Sequence, residues 1–249
     1  MRWCANSGTA ANPRIVLTNR YSRNISCIGA EGQKRLSASS VFIIGCGALG
    51  GQVAMLLAAA GIGRIGIADF DTIDLTNLQR QLFYTEADAG KKKVETLAAR
   101  MRELNSEITV DTYDRLIRLQ DAETILADYA YIIDATDNPA SKYMTDELCR
   151  RLGRPGCIGG VAGWKGQIMT LTGQPASVTF ADIFPPPETD MSMMPCEITG
   201  VIGAAASTIA SLQAAEAIKE LIRTDESPAA RLLTVDLLTM QFNTFELSE

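Results

Sequence analysis

The twelve residues of Ser40–Gly51, SVFIIGCGALGG, constrain this chain more than any other stretch. An apolar run, Val41 to Ile44, leads directly into Gly45, Gly47 and Gly50, and an Ala/Leu-rich stretch follows from Gln52 to Ala60. The order is strand, glycine turn, helix. Glycines permit a tight turn and a close backbone approach. The start of the helix offers unpaired N–H groups and the positive end of its dipole, for which phosphate is the natural guest. Taken alone, G-x-G-x-x-G is equally a tight turn in any α/β protein. Here a second strand, Arg64 to Ala68, ends in Asp69 about 20 residues further on, where a carboxylate can accept from ribose hydroxyls. A nucleotide site is the expectation, on an α/β fold: a Rossmann-like, mostly parallel sheet flanked by helices and extended by antiparallel strands toward the C-terminus.

Composition narrows the function. The 249 residues are 47% apolar, enough for a buried core. Lys and Arg number 23 against 29 Asp and Glu, a formal charge of −6, and no basic and aromatic residues interleave, so no nucleic-acid groove is expected. The longest apolar stretch, Val53 to Ile62, is too short to span a bilayer and reads as a buried helix. Residues 1–19 lack the long apolar centre of a secretory signal and read as a flexible extension of a cytoplasmic protein, with residues 20–249 as one domain. Six cysteines, at 4, 27, 46, 149, 157 and 196, form no C-x-x-C pair, which argues against structural zinc and against a disulfide scaffold. The chain has no histidine, so Ser-His-Asp triads and His-ligated metals are excluded. Carboxylates, Lys, Arg, Cys or a hard metal ion must do any chemistry.

Taken in order, Arg20 to Asn24 (RYSRN) precede a short helix expected over Glu31 to Leu36. After Asp69 come Asp71 and Asp74, so three carboxylates stand at the carboxyl end of a strand, where open α/β sheets bind ligands. Thr76 to Gln81 follow, rich in fixed donors. Lys91, Lys92 and Lys93 are expected in the first turn of a helix running from Val94 to Leu104. Cations there oppose the helix dipole, and a nearby anion would reverse that cost. A strand from Tyr129 to Ile133 runs into Asp134-Ala135-Thr136-Asp137-Asn138-Pro139, where Asn138 and Pro139 suit the start of a helix. Asp137 is either a local turn residue or a group for magnesium at the phosphate end. Strands are expected over Pro155 to Ala162 and Trp164 to Leu171, and another extended piece over Ser177 to Phe184. A Met-rich tract to Cys196 reads as a mobile loop, Gly200 to Ile222 as a largely buried helix, and Leu232 to Leu238 with Gln241 to Leu247 as a closing hairpin.

The ordered set RYSR, GCGALG, ADFD, NLQRQ, GKKKVE, DATDN and CEITGVIG…SLQAAEAIKEL resembles the ThiF/MoeB/HesA group, relatives of the adenylating domain of ubiquitin-activating E1 enzymes. The resemblance runs from Arg20 to the carboxyl terminus. It implies an ATP- and Mg2+-dependent homodimeric adenylyltransferase that activates the C-terminal glycine of a small ubiquitin-like sulfur carrier ending in Gly-Gly, for thiamine, molybdopterin or related sulfur transfer. By position it implies that Gly45, Gly47 and Gly50 shape the ATP-binding turn and that Asp69 holds the ribose. It further implies that Asn77, Arg80 and Gln81 contact the triphosphate, that Lys93 is the phosphate lysine and that Asp137 is the magnesium-associated aspartate. Arg23 corresponds to an arginine that reaches the partner subunit's nucleotide, and Cys196 to a cysteine that in some members accepts the activated carrier; its alternative reading is an ordinary small side chain.

Two departures from the family pattern stand out. The zinc-binding C-x-x-C position presents Thr179-Phe180-Ala181-Asp182, so no zinc is expected. The arginine-bearing helix after D-x-T-D-N presents Lys142, which can meet phosphate as a point charge but not bidentately. The competing readings are adenylation of a peptide or tRNA-linked carboxylate, a non-catalytic scaffold, and a nicotinamide-dependent oxidoreductase. The last leaves Arg80, Lys93 and Asp137 unexplained.

Overall fold

In the computed structural model, which describes residues 20–186, 200–222 and 230–247, β1 (Ser40–Ile44) lies inside an eight-stranded sheet. Every residue from Val41 to Ile44 is buried. Val41 and Ile43 face one core while Phe42 and Ile44 face another, because side chains alternate along a strand and helices cover both faces. Parallel pairing joins β1 to β2 (Arg64–Ala68) on one side and to β4 (Tyr131–Asp134) on the other. β3 (Thr109–Tyr113) pairs with β2 and β5 (Gly156–Ala162) with β4, also in parallel. Three antiparallel strands complete the sheet: β6 (Lys165–Leu171), β7 (Arg231–Asp236) and β8 (Gln241–Glu246). The order is β3-β2-β1-β4-β5-β6-β7-β8, which is the expected architecture.

The first core is covered by α1 (Ser22–Ala38), α2 (Gly50–Ala60), α3 (Lys93–Leu104) and α7 (Gly203–Ile222) through Leu36, Leu57, Met101 and Ala210. The second lies under α4 (Leu119–Leu126), α5 (Pro139–Leu152) and α6 (Phe180–Ile183) through Leu126, Leu148 and Phe180. Each fully buried Ile, Leu or Phe contributes about 1.5–3 kcal/mol. In α7 the small residues Ala206, Ala210, Ala214 and Ala217 recur at helical spacing and let the helix lie close to the sheet.

Three expectations need correction, and one element is without any. Helical structure begins at Ser22, well before Glu31, and is broken at Gly29, whose φ of 72° is a left-handed conformation that glycine adopts without strain. Arg23 therefore sits on a helix. The piece from Ser177 to Phe184 is not extended throughout: Thr179 and Asp182 form a reciprocal capping box that starts α6. The three lysines do not share a helical turn, since Lys92 is extended and only Lys93 lies within α3. Helix α4 carries no counterpart in the sequence reading; its Ala122, Ile125 and Leu126 supply the apolar stripe, while Leu119 at its start stays exposed. The extension at residues 1–19 and the Met-rich loop with Cys196 lie outside the described residues.

Candidate active site

Strand order reverses between β1 and β4, and the carboxyl edge at such a reversal is where open α/β sheets form a ligand crevice. On the β1 side the glycine turn is shaped by its own backbone. Gly45 has φ +97°, and a Cβ at Gly50 would lie 1.8 Å from the Gly45 carbonyl oxygen, so both positions require glycine. Gly47 differs. A Cβ there would meet only Gln81 Nε2, at 3.7 Å, so the protein itself does not demand glycine and the free space faces whatever approaches the turn. Leu49, at the head of α2, makes no side-chain cap, and of the first-turn N–H groups Gly51 N is taken up by the Gly47 carbonyl at 3.0 Å.

Asp69 ties two loops together. One carboxylate oxygen accepts from Cys46 N at 2.7 Å and the other from Asp71 N at 2.8 Å. A carboxylate has about four lone-pair positions, so acceptor capacity remains for a ribose. Cys46 is fully buried, and burial foremost, with the Asp69 charge second, pushes its thiol well above the usual range, so it is no thiolate. The Tyr84 hydroxyl lies 3.0 Å from the Cys46 carbonyl and 3.2 Å from the Lys93 carbonyl, which fixes the start of α3 against the glycine turn.

The lysines are assigned separately. Lys91 pairs with Asp88 at 2.8 Å, Lys92 with Asp114 at 3.0 Å and Lys93 with Asp71 at 2.9 Å. The Lys93 side chain is only 7% exposed, so its stem is held by packing while its ammonium meets an exposed carboxylate. On the preceding loop, Asp74 and Asn77 cap one another around a single 3₁₀ turn, and Arg80 Nη1 donates to the Thr76 carbonyl at 3.1 Å. Gln81 is buried, and its Oε1 has no hydrogen-bond partner among the described residues.

On the β4 side, Asn138 Oδ1 accepts from Ala140 N at 2.9 Å and caps α5, with Pro139 in the first turn. That leaves Asp137 exposed beside the crevice and free of the capping role. Lys142 differs from its sequence reading. Its ammonium donates to Gly159 O at 2.6 Å, Thr136 O at 2.7 Å and Asp134 Oδ1 at 3.1 Å. All three donors are used inside the fold, so it does not serve as a free point charge for phosphate. Tyr84 and the buried Asp134 carry no local mark, because Tyr84 meets Cys46 O and Asp134 meets Ser141, Lys142 and Thr145 only once the fold brings them together. Asp88, by contrast, is legible in the local Thr85-x-x-Asp88 capping box with Lys91 three residues on.

The structure thus draws Gly45, Gly47, Gly50, Asp69 and Lys93 into one bonded neighbourhood. Gln81 lies against the glycine turn, Arg80 and Asn77 are on the loop leading to it, and Asp137 is across the crevice. Arg23 is elsewhere. Its neighbour Asn24 donates to Ala60 O at the carboxyl end of α2, about 15 Å by helical rise from the glycine turn. Among the described residues, no three His, Cys, Asp or Glu side chains are grouped to cage a metal, and no helix is long and apolar enough to cross a membrane.

The ThiF family model matches residues 21–249. Adenylyltransferase and sulfurtransferase MOCS3 of Arabidopsis thaliana is 39% identical over 222 residues, covering 88% of this chain and 48% of that protein. The SAMP-activating enzyme E1 of Haloferax volcanii is 34% identical over 228 residues, covering 91% of this chain and 84% of the other. The chain spans about half the length of the MOCS3 relatives it matches. A crystal structure of E. coli MccB with ATP superposes with a TM-score of 0.80 at 23% identity, covering 95% of this chain and 73% of that one, a likeness of fold. With the family model spanning nearly all of the described structure, the chain belongs to the ThiF family.

Proposed function

We propose that this chain is an ATP-dependent adenylyltransferase that activates the C-terminal glycine carboxylate of a small ubiquitin-like sulfur-carrier protein of the ThiS/MoaD type. Family membership and the names of its MOCS3 and E1 relatives support the reaction class. The observation that carries it is the bonded unit of glycine turn, Asp69, Tyr84 and Lys93 at the point where strand order reverses.

The chemistry needs these groups. A carboxylate attacking the α-phosphorus of ATP is an anion approaching an anion, and displacement moves further charge onto departing pyrophosphate. The N–H groups at the start of α2 and the cations of Lys93 and Arg80 stabilise that charge, and Gln81 and Asn77 orient the phosphates. Asp69 accepts from the ribose. Lys93 exchanges Asp71 for phosphate when nucleotide enters. The attacking carboxylate is already ionised, so no general base is required, which fits a chain with no histidine.

Magnesium that arrives with a nucleotide keeps most of its waters and takes one or two protein carboxylates. The exposed Asp137 fits that demand. When bound, the ion would neutralise phosphate charge. Arg23, remote from its own chain's glycine turn, acts on the partner's nucleotide in a homodimer. Cys196 is assigned as acceptor of the activated carrier. Cys196→Ser should retain ATP–pyrophosphate exchange but lose a reductant-sensitive adduct with the carrier; a persisting adduct removes the assignment. The four described cysteines are free, as in a reducing, cytoplasmic setting. The direct test is pyrophosphate release with carriers whose terminal glycine is intact or deleted. Release should require the intact terminus.

A further inference from the structure

Lys142 and Asp134 form a buried pair beneath the turn that carries Asp137. Asp134 is fully buried at the end of β4. Its Oδ1 accepts from Thr136 N at 3.1 Å, Thr136 Oγ1 at 3.0 Å and Lys142 Nζ at 3.1 Å, and its Oδ2 from Ser141 Oγ at 2.6 Å and Thr145 Oγ1 at 3.1 Å. The pair's remaining bonds point outward to the backbone. Lys142 Nζ donates to Thr136 O and Gly159 O.

Those two carbonyls lie where the sheet comes apart. The β4–β5 ladder ends at Asp134↔Ile158, and past that register the two chains separate. The ammonium bridges the gap with donors that the backbone no longer supplies. A peptide unit is planar, so holding the Thr136 carbonyl also fixes the nitrogen and Cα of Asp137. Lys142 is 13% exposed and has no donor left, so its whole hydrogen-bonding capacity goes into this clamp.

We infer that Lys142, charge-balanced by Asp134, is a positioning residue that sets Asp137 for the magnesium carried by ATP. The inference rests on the adenylation reading above. It does not make Lys142 a phosphate ligand, and it predicts an effect confined to the metal-dependent part of nucleotide binding.

The test is calorimetric titration of ATP into the full chain with magnesium and again with excess chelator. Lys142→Met keeps a similar length without the charge but leaves Asp134 buried and unpaired, so its unfolding midpoint should fall. The double variant Lys142→Met/Asp134→Asn removes both charges and should recover much of that midpoint. In both variants the gain in ATP affinity on adding magnesium should shrink by about 10-fold, in the range typical of lost outer-shell partners. Affinity in chelator should stay at the parent value. A parent-like magnesium gain in the folded double variant overturns the positioning role and leaves the adenylation reading untouched. A parent protein whose ATP binding ignores magnesium overturns both.

Discussion

A Cβ on Gly50 would stand 1.8 Å from the carbonyl oxygen of Gly45, while a Cβ on Gly47, between them, would meet nothing closer than 3.7 Å. The outer glycines are needed by the fold, whereas the fold makes no such demand at the middle one, which the proposed function gives to the nucleotide. Gly50→Ala should therefore lower stability by more than the roughly 1–3 kcal/mol of ordinary overpacking, since the clash is with backbone. Gly47→Ala should unfold with the parent in a thermal melt yet bind ATP about 10-fold more weakly, a difference near 1.4 kcal/mol. Undiminished ATP binding by Gly47→Ala would mean that the turn does not approach the phosphates.

Arg80 and Lys93 should separate activity from stability. Arg80 is half-buried on a loop, and Lys93 presents its head to Asp71 at the mouth of the crevice. Arg80→Ala and Lys93→Gln should each retain the parent circular-dichroism spectrum and lose about 100-fold or more in adenylation rate, as when a preorganised donor to developing charge is removed. Activity surviving both changes would refute their assignment.

Arg23 lies at the far end of α2 from its own glycine turn. A homodimer that completes each site in trans predicts complementation. Inactive Arg23→Ala mixed with inactive Lys93→Gln should recover part of the parent rate, because one site in each hybrid is whole. Absence of recovery after demonstrated subunit exchange would exclude the trans role.

Asp88 gives a pH signature for the segment that precedes Lys93. Hydrogen bonds from Lys91 and then Thr85 hold its carboxyl well below the usual carboxylate range, and Arg100 adds a contact at 3.3 Å. A carboxyl depressed in the folded state stabilises the fold above its unfolded value, about 3.9, and loses that contribution as pH falls through the folded value. Asp88→Asn should therefore melt below the parent at neutral pH, with the gap closing on acidification below about pH 4. A gap independent of pH would place the stabilisation in packing.

Much of the fold is legible in the sequence where local pattern and tertiary demand agree. β1 and β2 follow from apolar runs bounded by glycine or polar turns, the closing hairpin from β-favouring residues either side of a short turn, and Asn138-Pro139 marks the start of α5 at its observed position. Legibility fails where the deciding partner is distant. The capping box of Thr179 and Asp182 outweighs β-favouring neighbours once Asp146 also receives Phe180 N. The cluster at 91–93 shows that positive charge accumulates, but not that Lys92 would be matched to Asp114 and Lys93 to Asp71. Lys142 reads as a phosphate cation because the acceptors that occupy it, Asp134, Thr136 and Gly159, come together only through the β4–β5 pairing.

The central claim is that the crevice between β1 and β4 transfers adenylate from ATP to a protein carboxylate, and ATP–pyrophosphate exchange measures this most directly. With a ubiquitin-like sulfur carrier and magnesium, labelled pyrophosphate should enter ATP. Exchange should vanish when the carrier's terminal glycine is removed or when Arg80 or Lys93 is replaced. Exchange that persists without any carboxylate acceptor, or that none of these changes affects, would contradict the account.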